Sequence, residues 1–324
     1  MLNYQEIFSL VEEKLKQMDY NSEPSELYDP IKYILSLGGK RLRPCLAIMA
    51  HNIFCDEIDN IIYPAIGIEV FHNFTLLHDD IMDKALLRRN NSTVHVKWNE
   101  NVAILSGDAM MIMAFELISK TDKECLNRVI SIFTKTARQV CEGQQFDMNF
   151  ENQQNVSIDQ YIRMINLKTA VLIAASLAIG AITGKAAERE IDLMYNFGTN
   201  IGIAFQLQDD YLDVYADSKK FGKKVGGDIL SNKKTYLLIS ALQSGNTKLV
   251  EELNFWIINQ KHNTSDKIDA VTAIYNKLDL GNRTQQLANT FFEKGIKYLE
   301  HVNIEKSRKD ILQDIVSDIM KREK

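Results

Sequence analysis

The sequence predicts an all-α protein, and three observations carry that expectation. Proline is confined to the first fifth of the chain, at Pro24, Pro30, Pro44 and Pro64, leaving 260 residues without one. Helix interiors disfavour proline, which lacks an N–H and clashes with the preceding turn. Apolar residues also recur at steps of three and four: Ile66, Val70, Phe74, Leu77 and Ile81 form one stripe, and Ile311, Leu312, Ile315, Val316 and Ile319 another. No run of alternating β-branched residues with hairpin turns interrupts these stripes.

Breaks between helices are expected at Gly38-Gly39, Asn90-Asn91-Ser92, Asn152 to Asn155, Gly226-Gly227, Gly245-Asn246 and His262 to Ser265. No Gly/Ser linker or low-complexity tract divides the chain. Residues 1–324 therefore read as one domain, a single large helical bundle of ten or more helices around a central apolar cavity. The longest uncharged stretch, Thr169 to Gly184, is short and rich in small residues, which suits a buried helix better than a membrane span.

A net charge of −5 supplies no basic field for nucleic acid or anionic membrane, so phosphate chemistry would have to rest on local cations and metals. The four cysteines lack CxxC spacing, and the N-terminus shows no signal-peptide pattern. Reduced thiols and a cytoplasmic location are the expectation.

The most informative feature is an acidic signature present twice, Asp79-Asp80-Ile81-Met82-Asp83 and Asp209-Asp210-Tyr211-Leu212-Asp213, 130 residues apart. Carboxylates at i and i+4 share one helical face, and that much like charge is unfavourable without cations. An all-oxygen ligand set suits Mg²⁺, which keeps several waters and completes its shell with substrate phosphates. One such motif alone is most often a solvated face. Here Leu76, Leu77, Phe205 and Leu207 crowd the carboxylates, and charge buried among them needs a partner.

Positive charge is close at hand in the sequence. Gly38-Gly39-Lys40-Arg41-Leu42-Arg43-Pro44 places three cations after two glycines, Arg88-Arg89 follows the first acidic motif, and Lys168-Thr169 opens the uncharged helix. Lys223, Lys224, Lys233 and Lys234 follow the second motif. Arginine suits forked phosphate contacts and lysine acts as a point charge, although each basic pair alone would be unremarkable on a solvated surface.

In order, GGKRLRP at 38–44, LLHDDIMD at 76–83, Arg88-Arg89, GQQFD at 143–147, Lys168-Thr169, FQLQDDYLD at 205–213 and GKKVGGDILSNKKT at 222–235 closely resemble the trans-isoprenyl diphosphate (polyprenyl) synthases. The resemblance implies an all-helical, homodimeric, Mg²⁺-dependent isoprenoid synthase that condenses an allylic diphosphate head-to-tail with isopentenyl diphosphate. It implies three Mg²⁺ ions, with Asp79, Asp83 and Asp209 as main ligands and Asp80, Asp210 and Asp213 in support. Arg88, Lys168, Lys223 and Lys233 would complete the cage around the allylic diphosphate, with Lys234 the alternative to Lys233.

By the same resemblance Lys40, Arg43, His72 and Arg89 would hold isopentenyl diphosphate. Thr169, Gln206 and the Lys168 carbonyl would line the allylic cation, while Gln144 and Asp147 would order a metal-bound water or a cationic side chain. His72 precedes Asp79 by seven residues and shares its helix face, whereas His78 points elsewhere and reads as structural.

Product length is expected to depend on residues upstream of Asp79. At about 1.5 Å per residue, Phe74 lies about 7.5 Å and Phe71 about 12 Å from Asp79 along the helix. Thr75 projects about 40° from Asp79 and leaves the near path open, while Phe74 projects about 140° away at about 100° per residue. Within the family, an aromatic five positions before the acidic motif with a small residue at the fourth resembles geranylgeranyl diphosphate synthases. Twenty carbons is the expected product and fifteen the runner-up. A terpene cyclase, or a non-catalytic subunit of a heteromeric synthase, are the alternatives. A cyclase would leave Lys40, Arg43 and Arg89 idle, and a non-catalytic subunit would be expected to have lost site residues that this chain keeps.

Overall fold

The computed structural model describes residues 2–20, 22–216, 226–259 and 263–320. Lys223, Lys224 and the side chain of Ile319 lie outside that set. The fold is all-α: sixteen α-helices are present among the described residues, with one short hairpin. The chain divides into two compact units. Met1–Thr134, Ala175–Tyr195 and Val302–Leu312 form the first; Lys135–Ala174, Asn196–His301 and Gln313–Lys324 form the second.

The first unit begins with α1 (Tyr4–Lys16), whose N-terminus is closed by a reciprocal capping box between Asn3 and Glu6. Helices α2 (Ser25–Ser36), α3 (Leu42–Phe54) and α4 (Asp59–Met82) follow. After the hairpin β1 (Leu87–Arg88) and β2 (Asn91–Ser92) come α5 (Val94–Lys97) and α6 (Glu100–Ser119). Helix α4 packs along α6, and α3 packs on α4 and α1. On the predicted α4 stripe, Ile66, Val70, Phe74 and Leu77 are buried and Ile81 is partly so.

Three of the four prolines lie within helices. Pro30 and Pro64 lie inside α2 and α4, and Pro44 sits in the first turn of α3, where its missing N–H has no intrahelical partner to lose. The hairpin was not legible as strand because each arm is two residues long. Its loop residues Arg89 and Asn90 both take left-handed backbone, at φ 52° and 63°, as a two-residue reverse turn requires.

Helix α7 (Lys123–Asn152) runs from the first unit into the second. The second unit contains α8 (Ile158–Ile165), opened by a Ser157–Gln160 capping box, and then a π-helical turn at Asn166–Ala170. Helix α9 (Val171–Thr183) follows, then α10 (Glu188–Tyr215), α11 (Gly227–Leu230) and α12 (Tyr236–Leu242). The chain continues through α13 (Thr247–Ile258), α14 (Thr264–Lys277), α15 (Leu280–Glu300) and α16 (Lys306–Met320).

One core of the second unit gathers Phe150, Tyr161, Met164, Ile203, Leu207, Ile239 and Ala288, and another gathers Val214, Leu237, Leu253, Val271, Ile274 and Leu280. Among the described residues two segments, Glu100–Ser119 and Ile158–Thr183, are long and apolar enough to cross a membrane, but the second is 89% buried, as the uncharged stretch suggested.

The buried ion network of the first unit is its most demanding polar feature. Arg41 takes a left-handed φ of 43° at the start of α3, and its guanidinium turns inward rather than toward a ligand. Nε donates to Glu12 at 2.6 Å, Nη1 to Glu69 at 2.8 Å and Nη2 to the Leu35 carbonyl at 2.6 Å. Glu69 is 2% exposed and also accepts from Asn73. Removing one member of a buried pair leaves an uncompensated charge costing ~3–5 kcal/mol. Arg41→Met is therefore expected to lower stability by ~3–5 kcal/mol, read as a fall in the thermal unfolding midpoint; an unchanged midpoint would refute this role.

Candidate active site

The two acidic motifs adopt one pattern, each in its own unit. In the first, Asp79 is partly buried and Asp83 exposed one turn later, while Asp80 between them is 2% exposed. Arg88 from the hairpin meets Asp80, its Nε within 2.9 and 2.8 Å of the two carboxylate oxygens and Nη2 2.7 Å from Oδ1. Burial pushes the Asp80 carboxyl up, and Arg88 opposes that shift.

In the second motif Asp209 is exposed and Asp210 is 4% exposed. Asp210 accepts from the Tyr161 hydroxyl at 2.5 Å and from Gln206 Nε2 at 2.8 Å. Burial, then the neighbouring Asp228, pushes its carboxyl well above the usual carboxylate range.

Asp213 has a further duty. Its Oδ2 accepts the Asp228 backbone N–H at 2.9 Å, and its carbonyl accepts from Gly226, so it anchors the turn that starts α11. That turn carries Asp228, which is raised by burial and faces Lys233 at 3.9 Å. Thr235 caps α12 and fixes the approach of Lys233 and Lys234, both of which line a cavity of about 40 Å³ with Asp147, Lys168, Gln206 and Asp210.

The π turn explains how Lys168 and Thr169 are aimed. An extra residue in a helical turn rotates the side chains that follow it, and such turns cluster at functional sites. A Cβ on Gly143 of α7 would collide with the backbone of Lys168, so glycine is required for α7 to lie against the turn. Lys168 Nζ then reaches Asp147 at 2.7 Å, and Thr169 Oγ1 donates to Gln206 Oε1 at 2.9 Å. Gln144 lies beside Gly143 on α7.

A separate cationic group lies in the first unit. Gly38, Gly39 and Arg41 all take positive φ, and a Cβ on Gly39 would sit 2.6–2.7 Å from the Arg89 guanidinium. Lys40 holds the following turn, its carbonyl accepting from Tyr4. Arg43 Nη1 lies 3.0 Å from His72 Nε2. Arginine only donates, so His72 must accept there and be neutral. Burial, then Arg43, Arg89, Arg88 and Arg41, hold its imidazole well below the usual histidine value. Burial also pushes Arg43 down to about 10, and its Nε has no hydrogen-bond partner among the described residues. This grouping suits an anion.

The aromatic residues upstream of Asp79 form a stack. Phe74 meets Phe71 at 5.4 Å and His78 at 4.8 Å, while Phe71 meets Phe133 at 5.3 Å edge-on. His78 also reaches the Ile104 carbonyl, and Thr75 Oγ1 donates to the His72 carbonyl. Sequence reasoning missed Tyr161 and Asp228 as site residues. Asp228 was signalled by the Gly226-Gly227-Asp228 run, but Tyr161 had no local signal, because its partner lies 49 residues away.

A family model for polyprenyl synthetase matches residues 24–275. The chain belongs to the polyprenyl synthetase family. It is accordingly a trans-prenyltransferase. The geranylgeranyl diphosphate synthase of Methanosarcina mazei is 35% identical over 281 residues, covering 86% of this chain and 85% of that one. The geranylfarnesyl diphosphate synthase of Natronomonas pharaonis is 35% identical over 255 residues, 73% of this chain and 74% of its own. A solved geranylgeranyl pyrophosphate synthase is 41% identical with a TM-score of 0.94, covering 99% of both chains.

The depressed His72 has a stability consequence for this polyprenyl synthetase. Below about pH 6.5 the unfolded histidine takes up a proton that the native one refuses. Stability therefore falls with falling pH, by up to about 1.4 kcal/mol per unit from this group. His72→Asn is expected to flatten that loss between pH 6.5 and 5, measured as urea midpoints; parallel profiles for variant and wild type would contradict it.

Proposed function

We propose that the protein is a short-chain isoprenyl diphosphate synthase that condenses isopentenyl diphosphate head-to-tail with an allylic diphosphate. The observation that carries this reading is the arrangement repeated at both acidic motifs. Asp79, Asp83 and Asp209 are left partly or fully accessible, Asp213 is half-buried against the Asp228 turn, and the inner carboxylate of each motif is buried against donors. Such a motif is built to present oxygen ligands rather than to stabilise a helix surface.

Among the described residues no three His, Cys, Asp or Glu side chains close around one point. An open set of hard oxygen donors suits Mg²⁺, which retains water and takes substrate phosphate oxygens. Asp79, Asp83, Asp209 and Asp213 would hold it, three ions in all. Bound Mg²⁺ would supply charge stabilisation for the departing diphosphate.

The remaining chemistry falls to the chain itself. Arg88, Lys168 and Lys233, with Lys223 from outside the described residues, would hold the allylic diphosphate. Lys40, Arg43, His72 and Arg89 would hold isopentenyl diphosphate, whose charge fills the unpartnered donor of Arg43. Thr169, Gln206 and the Lys168 carbonyl would face the allylic cation with oxygens too weakly nucleophilic to capture it. The released diphosphate would take the proton lost on elimination.

The dimer belongs to this reading too. Helix α6 is apolar yet its most apolar stretch is only 39% buried, with Ile104, Leu105 and Ile112 exposed, which fits a face covered by a second copy. A cytoplasmic site of action fits the reduced cysteines.

A twenty-carbon product fits the Phe74–Phe71 stack and the geranylgeranyl relatives, with fifteen carbons the shorter alternative. The geranylfarnesyl relatives favour a second, longer reading of twenty-five carbons. Incubating purified protein with Mg²⁺, isopentenyl diphosphate and each allylic starter, then sizing products, tests the proposal; no consumption of isopentenyl diphosphate would refute it and favour a cyclase. Phe74→Ala is expected to lengthen the product by one or more isoprene units, and an unchanged chain length on chromatography would remove Phe74 as the floor.

A further inference from the structure

The fully buried hydroxyl of Tyr161 belongs to no part of the reaction described so far. The ring is 1% exposed within the core of the second unit, so a phenylalanine would satisfy its packing. The hydroxyl instead ends a chain of hydrogen bonds running Tyr161–Asp210–Gln206–Thr169, at 2.5, 2.8 and 2.9 Å. Asp210 accepts from both neighbours, the Tyr161 hydroxyl and the Gln206 side chain, and the amide nitrogen of Gln206 is the atom that faces it. That leaves Gln206 Oε1 toward Thr169, whose single proton is drawn to it. The protons used within the chain run toward Asp210, one N–H of the Gln206 amide lying outside it, and Thr169 Oγ1 is left with lone pairs alone for the cavity it lines with Gln206.

We propose that Tyr161 is a positioning residue that locks the direction of this relay, so that the oxygen lone pairs of Thr169 and Gln206 meet the allylic cation. The inference rests on the synthase reading above. Without the Tyr161 hydroxyl, one Asp210 oxygen loses its donor in a site that water enters with difficulty. Asp210 is then free to rotate, and the Gln206 amide can invert. An inverted amide would turn Thr169 round and aim a positive dipole at a developing positive charge, the wrong sign for catalysis.

The test is Tyr161→Phe, which keeps the ring, assayed with both diphosphates alongside circular-dichroism melting. The expected result is a fall in kcat of about tenfold or more, since small misplacements of a reacting group cost that much. Both KM values should stay within about twofold, because the diphosphates are held by other residues. Adding Tyr161→Phe to Gln206→Leu should cause little further loss, since the relay is already cut.

Wild-type kcat in Tyr161→Phe, with or without a lowered melting point, would overturn the proposal, as would losses that multiply in the double variant. If Tyr161→Phe does not fold, Asp210→Asn replaces it, since an amide there can donate and reverse the relay; wild-type kcat in that variant would overturn the proposal equally. A wild-type enzyme that consumes no isopentenyl diphosphate defeats the synthase reading and this role with it. An active wild type matched by Tyr161→Phe defeats the Tyr161 role alone.

Discussion

The structure depends on how it tolerates carboxylates placed side by side in an apolar setting. Each acidic motif has three aspartates within five residues, and a helix cannot turn them all to one side. The outer two lie one turn apart, which sends the middle one inward. A buried carboxylate without donors is costly, so each unit supplies them: Arg88 to Asp80 in the first, Tyr161 and Gln206 to Asp210 in the second. The surrounding hairpin, π turn and loops can be read as the means of bringing those donors into place.

The two solutions differ electrostatically. A forked guanidinium neutralises Asp80 outright, whereas Asp210 receives neutral donors and has Asp228 as an acidic neighbour. The Lys233 charge opposes the upward push that burial and Asp228 exert on Asp210. Asp213 also anchors the turn carrying Asp228 through a backbone N–H, and that turn leads into Lys233 and Lys234.

Close backbone approach is the second recurring device. Gly39 lets the Arg89 guanidinium lie on the chain, and Gly143 lets α7 press against the π turn that aims Lys168 and Thr169. In both places a cationic residue is placed by what is missing from its neighbour. The aromatic stack of Phe74, Phe71 and Phe133 works by the opposite principle, filling space with rings that brace one another across helices.

The helical class, the breaks at Gly38-Gly39, Asn152–Asn155 and Gly245-Asn246, and the two acidic motifs were legible in the sequence, because periodicity, turn chemistry and charge spacing are local properties. Pro30 and Pro64 stand inside α2 and α4 although helix interiors disfavour proline, and both are buried there. Tertiary structure alone decided that Arg41, one of three neighbouring cations, turns inward to Glu12 and Glu69 while Arg43 turns to His72. It alone gave Asp80 and Asp210 different partners, and joined the buried Tyr161 hydroxyl to Asp210. The reason is that a buried charge is satisfied by whichever donor the fold delivers, here from up to 49 residues away, and no local pattern encodes that choice.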